Sequence, residues 1–91
     1  MEVERSIQIP NKHGLHARAS TRLAQVAKQY TCAISLCRHG TTDEVDAKSI
    51  LGILTLGAEK GQTLRIRASG EDAEQAMDAL TQLIDQNFGE E

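Results

Sequence analysis

Apolar and polar positions alternate from the start of the chain. Val3, Ile7 and Ile9 share one parity while Glu2, Glu4, Ser6 and Gln8 take the other, so residues 2–9 read as a half-buried strand in which Arg5 is the one misfit. Pro10 ends that strand, and residues 11–15 form a polar turn containing Gly14. Ala19, Leu23, Val26, Ala27 and Tyr30 then recur at helical spacing, which predicts a helix over 17–29. Alternation returns at 31–38, with Cys32, Ile34 and Leu36 on one side. His39-Gly40-Thr41-Thr42 turns the chain into a short strand over 44–47, making a hairpin.

Ser49 is placed to cap a short helix ending at Leu56, with Gly57 as its stop. Ile50, Leu51, Ile53, Leu54 and Leu56 make that helix apolar nearly all round, and a small protein cannot bury every side, so part of it must face solvent. Leu64, Ile66 and Ala68 alternate with Thr63, Arg65 and Arg67 as a further strand. Ala73, Ala76, Met77, Leu80, Leu83, Ile84 and Phe88 follow the i, i+3, i+4, i+7 rule of a last helix, begun by Ser69 and Asp72 as a capping box. The order is βαββαβα, with no repeat or linker. Four strands with one apolar face need a lid, which the two long helices supply. The expected fold is an α/β (α+β) open-faced sandwich: one domain over 1–91, its four-stranded antiparallel sheet covered on one face by helices. Each medium apolar side chain facing inward is worth about 1.5–3 kcal/mol when fully buried, which predicts a stable monomer despite the size.

Ninety-one residues with 40% hydrophobic and 25% charged positions are globular composition with room for one core. Tyr30 and Phe88 are the only aromatics, so a base-stacking platform for single-stranded nucleic acid has almost nothing to be built from. A net charge of −3 gives no global pull toward nucleic acid or an anionic membrane. The charge is uneven: residues 1–30 carry Arg5, Lys12, Arg18, Arg22 and Lys28 against Glu2 and Glu4, so one end of the molecule attracts anions. The stretch from Glu71 to Glu91 is acidic without Lys or Arg and reads as a solvated helix face with a frayed end. No apolar run approaches the roughly 20 residues that span a bilayer, and the N-terminus lacks the order of a signal peptide, so a cytoplasmic location without membrane insertion is expected. Cys32 and Cys37 lie at an odd separation within a strand, hence on opposite faces, and fit two free thiols in a reducing compartment.

The segment from Asn11 to Ser20 carries the chemistry, because it puts His16 between a Gly-containing turn and a helix N-terminus. The first turn of a helix offers unpaired N–H groups and the positive end of the macrodipole, an anion site. Only a neutral imidazole nitrogen has a lone pair with which to attack phosphorus. A phosphoryl group on that ring would lie within reach of the amides of Ala17 and Arg18, with the Arg18 side chain as a nearby cation. Phosphoryl transfer needs positioning and charge stabilisation above all, so this kit suffices for a carrier. It does not suffice for a hydrolase: the segment places no acid or base to activate water and no Mg²⁺ ligands. The competing reading of His16 is a surface residue with a backbone contact.

A zinc site using His13, His16, Cys37 or His39 is disfavoured, since the two His straddle a turn and the two Cys oppose each other. No metal and no cofactor are expected. Ser49 reads first as a helix cap and second as a phosphate acceptor. A phosphate there would suit the helix dipole yet set about two negative charges beside an apolar patch, weakening any docking through it.

Gly14-Leu15-His16-Ala17-Arg18 with Ser20, followed by the segment from Ala47 to Gly57 (AKSILGILTLG), resembles HPr, the histidine-containing phosphocarrier family of the bacterial phosphoenolpyruvate-dependent phosphotransferase system. The resemblance spans essentially the whole chain. It implies a phosphoprotein of sugar transport, a carrier acting between enzymes and not itself an enzyme, in which His16 takes a phosphoryl group on Nδ1 from phospho-enzyme I and passes it to an enzyme IIA domain. It further implies that Arg18 steadies the phosphate and that Ser49 falls on the position that HPr kinase/phosphorylase modifies in some members. Ala17, Ser20, Arg22, Ile50, Leu51 and Leu54 fall on the docking face. One departure stands out: the family usually has Pro after the Arg, and this chain has Ala19, which restores an amide donor and loosens the helix start. The alternatives are a carrier of the nitrogen-related branch, or a regulatory binding module controlled through Ser49.

Overall fold

A computed structural model describes residues 1–90. Its elements run β1 (Glu2–Gln8), α1 (Ala17–Ala27), β2 (Ala33–Arg38), β3 (Glu44–Asp46), α2 (Ile50–Leu56), β4 (Thr63–Ser69) and α3 (Ala73–Asp85), closed by a tight turn at Asn87–Gly89. The strands form one antiparallel sheet in the order β1-β4-β2-β3. This is the expected open-faced sandwich. Ile34, Leu36, Leu64, Ile66 and Ala68 point from the strands into a core shared with Leu23 and Ala27 of α1, Ile53 of α2 and Met77, Leu80 and Ile84 of α3. The strand alternation translates directly into this layering, because period two puts each apolar set on the helix side.

On the other face Arg67 of β4 meets Glu4 of β1 at 3.2 Å and Glu44 of β3 at 3.1 Å. Its cross-strand neighbour on β2 is the small Ser35, which leaves it room to reach β3. Arg5 is no misfit in three dimensions. It leans under α3 from the edge strand, where its guanidinium donates to Thr81 Oγ1 at 3.0 Å and Asp78 Oδ1 at 3.1 Å.

Three expectations need correction. Helix α1 ends at Ala27 and β2 starts at Ala33, each two residues short of the pattern. The capping box at α3 does not form: Asp72 makes no side-chain cap bond, and its carboxylate instead accepts from the Thr31 amide at 2.8 Å and the Cys32 amide at 2.9 Å. Those bonds, the Thr31 one foremost, hold the Asp72 carboxyl below the usual range. They tie the start of α3 to the entry of β2. Finally, the acidic tail is not frayed over its described residues, with Glu91 lying outside them. Asn87 and Phe88 take φ of 56° and 57°, and this left-handed pair turns the chain back so that Phe88 is fully buried.

Both cysteines are free and buried. Cys32 belongs to the core, whereas Cys37 lies on the opposite face beneath Arg65, whose Nη2 is 3.4 Å from its sulfur. Burial, reinforced by the nearby Asp72 carboxylate, pushes the Cys32 thiol up, which keeps it in its unreactive form.

Candidate functional site

The turn that presents His16 is built against the loop before β4. Gly14 sits at φ +63°, and a Cβ on it would come within 2.6 Å of the Ala58 carbonyl oxygen and 2.7 Å of Glu59 Cα. Only glycine fits both the backbone angle and the approach. The next amide, Leu15 N–H, donates to that same Ala58 oxygen at 2.9 Å. Asn11, almost wholly buried, closes the turn from within by donating from Nδ2 to the Gly14 carbonyl at 2.8 Å.

His16 is the N-cap of α1, with extended φ/ψ of −77° and −176°. Its carbonyl accepts the first helical bond, from Ser20 N–H at 2.9 Å, and its side chain plays the part usually taken by Ser or Asp: Nδ1 accepts from the Arg18 amide at 3.2 Å. Nδ1 therefore points along the axis of α1 toward the free first-turn amides, while Nε2 points the other way. The ring's side chain is 32% exposed, open enough for a reacting group and held enough to keep its aim. His13 packs edge-on against it, ring centroids 5.5 Å apart. Ala17 and Arg18 are exposed at the helix start.

A residue that sequence reasoning missed completes the site. The Glu90 carboxylate is hydrogen-bonded to His16 Nε2, and its other oxygen accepts from Asn11 Nδ2 at 2.9 Å. Desolvation pushes this carboxyl up, but the bonds from Asn11 and His16 and the attraction of the His16 and His13 rings outweigh it, leaving Glu90 below the usual Glu range. The result is a shallow basin with Lys12, His13, His16 and Arg18 on one side and the turn of Asn87, Gly89 and Glu90 on the other. The one available signal was Asn87-Phe88-Gly89, turn-forming residues flanking a lone aromatic.

The remaining expected residues lie on and beside α2, which packs against α1. Ser49 caps α2, its Oγ accepting from Gly52 N–H at 3.0 Å, and Gly57 ends the helix at φ 60° and ψ 29°. Leu51 is 75% exposed and Leu54 38%, while Ile53 and Leu56 are buried and Ile50 is half-buried against the core. Ser20 departs from expectation: it is fully buried, its hydroxyl donating to the Leu15 carbonyl at 3.0 Å, so it braces the turn and offers nothing to a partner. Arg22 is half-exposed and donates from Nη1 to the Phe88 carbonyl. Among the described residues no three His, Cys, Asp or Glu side chains converge as metal ligands, and no helix is long and apolar enough to cross a membrane.

Comparison with known proteins agrees with this geometry. A family model for the PTS HPr component phosphorylation site matches residues 3–86. The phosphocarrier protein HPr of Cupriavidus necator is 44% identical over 88 residues, covering 97% of each chain. The phosphocarrier protein NPr of Shewanella violacea is 38% identical over 89 residues, covering 98% of this chain and 96% of its own. A crystal structure of HPr-C-His from Thermoanaerobacter tengcongensis superposes with a TM-score of 0.91 at 40% identity, covering 98% of each chain. A cap histidine aimed at a helix start, in this sandwich and with these relatives, leads to one conclusion: the chain belongs to the HPr family, the phosphocarrier proteins of the phosphotransferase system.

Proposed function

We propose that His16 is the residue that carries the phosphoryl group, accepting it on Nδ1 from phospho-enzyme I and donating it to the histidine of an enzyme IIA domain. The observation that carries this reading is the Arg18 amide set 3.2 Å from Nδ1 at the start of α1. As the Nδ1–P bond forms, that amide turns from the ring lone pair to a phosphoryl oxygen. The Ala17 amide and the Arg18 guanidinium supply further positive charge at the same place. No proton need be taken from the acceptor atom, so the site works without a general base. Docking is through exposed Leu51 and Leu54 with Ala17 and Arg22 alongside, a small apolar patch suited to brief contacts with successive partners. Phosphorylation of Ser49 by a kinase/phosphorylase would place about two negative charges at the edge of that patch and weaken docking. The carrier works as a monomer in the cytoplasm.

Incubation with enzyme I and labelled phosphoenolpyruvate tests the assignment. Acid-labile, alkali-stable label that vanishes in His16→Ala supports it, and label persisting in that variant removes it. A second reading, a carrier of the nitrogen-related branch, draws support from the 38% identical NPr of Shewanella violacea. Offering the phosphorylated chain a sugar-specific and a nitrogen-type enzyme IIA in competition separates the two branches by which acceptor is labelled first.

A further inference from the structure

His16 is bonded at both ring nitrogens, and the two bonds permit only one arrangement of protons. Nδ1 faces a backbone N–H, that of Arg18 at 3.2 Å, so it must be the acceptor. Nε2 faces the Glu90 carboxylate, an acceptor only, so it must carry the hydrogen. The free ring is thus the neutral tautomer with its lone pair on Nδ1, aimed at the helix start. We infer that Glu90 is a positioning residue for phosphoryl transfer, which holds the Nε2 proton of His16 and balances the charge that the ring acquires when Nδ1 binds phosphorus. This rests on the reading of His16 as the phosphoryl acceptor.

The carboxylate is placed by construction. Phe88 is fully buried, and its carbonyl accepts from Arg22. Asn87, Phe88 and Gly89 all have positive φ, of 56°, 57° and 76°, and Glu90 N–H closes the turn on the Asn87 carbonyl at 2.9 Å. Asn11 holds the second carboxylate oxygen, and the Glu90 side chain is only 12% exposed. A side chain reaching at random from a mobile tail would have none of these restraints.

The step balances without a proton transfer. The Nδ1 lone pair forms the new N–P bond while the bond from phosphorus to the donor's nitrogen breaks, its electron pair returning to the donor ring. The His16 ring, still protonated on Nε2, becomes cationic. Onward transfer reverses this: the N–P pair returns to Nδ1 and the ring is again neutral with its Nε2 proton in place. Glu90 meets a neutral N–H before His16 accepts the phosphoryl group and a cationic one as the N–P bond forms. The interaction therefore strengthens along the accepting step and lowers its barrier. The ring itself lies between the carboxylate and the incoming phosphoryl oxygens, which limits repulsion.

The test uses the full chain and phosphoramidate, a small phosphoryl donor that needs no partner protein. In the wild type a downfield, exchange-protected Nε2 proton resonance of His16 is expected. In Glu90→Ala that resonance is lost and the rate of Nδ1 phosphorylation falls about tenfold, the size of one hydrogen bond to a charged group. Glu90→Gln, which can still accept the bond but carries no charge, keeps the protected proton and remains slow. A wild type without the resonance, a Glu90→Ala variant phosphorylating within about twofold of wild type, or a Glu90→Gln variant as fast as wild type would each overturn the inference. Failure of the carrier reading shows separately, as a wild-type chain that enzyme I does not label on His16.

Discussion

Replacing Phe88 by Ala tests whether the last residues belong to the folded core. The side chain is fully buried, and deleting a buried Phe to Ala typically costs about 3–5 kcal/mol in lost transfer energy and cavity. One effect opposes the loss. Asn87 and Phe88 both have left-handed φ, a conformation costing L residues roughly 1–2 kcal/mol each, and a variant whose tail lets go of the core recovers that strain. Detachment then leaves apolar surface of α1 and α3 uncovered, so a net loss of about 3 kcal/mol remains. A chain of this size has a total stability of only about 5–14 kcal/mol, so the variant should be visibly fragile. Urea unfolding followed by far-ultraviolet circular dichroism measures it. With a slope of about 1–1.5 kcal/mol/M, the midpoint should fall by about 2–3 M with the slope little changed. A loss below about 1 kcal/mol would refute the reasoning, since it would mean that Phe88 contributes no more than a surface residue. Phe88→Leu, which refills most of the volume, should recover most of the loss.

Gly14→Ala forces a Cβ into the Ala58 carbonyl at a left-handed φ and should cost at least about 1–2 kcal/mol, lowering Tm by about 4 °C or more; an unchanged Tm would show that the turn is not wedged against the loop as described. Ser49→Ala removes the α2 cap bond to Gly52 and should cost about 0.5–2 kcal/mol, read as faster amide hydrogen exchange in α2. Acid should loosen the Asp72 tie between α3 and β2: this carboxyl lies below its ordinary value in the folded chain, so between the two values the unfolded chain binds more protons. Its contribution is complete above about pH 5 and disappears as pH falls through the folded value. Asp72→Asn should therefore show a shallower loss of stability between about pH 5 and 2 than wild type, and identical acid curves would count against the tie.

The parts of the fold legible in the sequence were those governed by local period. Ile34, Leu36, Leu64 and Ile66 alternate because one sheet face is dry, and the structure puts them in one core. Ser49 and Gly57 mark the ends of α2 because a cap and a left-handed stop are short-range chemistry. His16 was legible for the same reason, a cap position after a Gly turn. Asp72 misled because an S-x-x-D spacing looks local, while its real partners, Thr31 and Cys32, lie across the sequence. The tail misled more. Phe88 falls four residues after Ile84 and so fits the helical period, yet it reaches the core by leaving helical geometry altogether. Charge pattern alone then made Glu90 look like a solubilising residue. Its partner, His16, is visible only once the chain has turned back.

The cap at Ser49 bears on how its proposed modification would act. Ser49 Oγ already accepts from Gly52 N–H, and that helix end holds the positive pole of α2. A phosphate on this oxygen adds acceptors and negative charge where the helix favours both, so the fold should tolerate it or gain slightly. The loss falls elsewhere. Leu51, two residues on and 75% exposed, can contribute to association only if its surroundings shed water when a partner docks. A dianion at the patch edge would keep them hydrated. Stability and docking therefore respond in opposite directions to the same group. A switch of this kind needs no conformational change, since it alters what the α2 face can touch while leaving the geometry of His16 as it was.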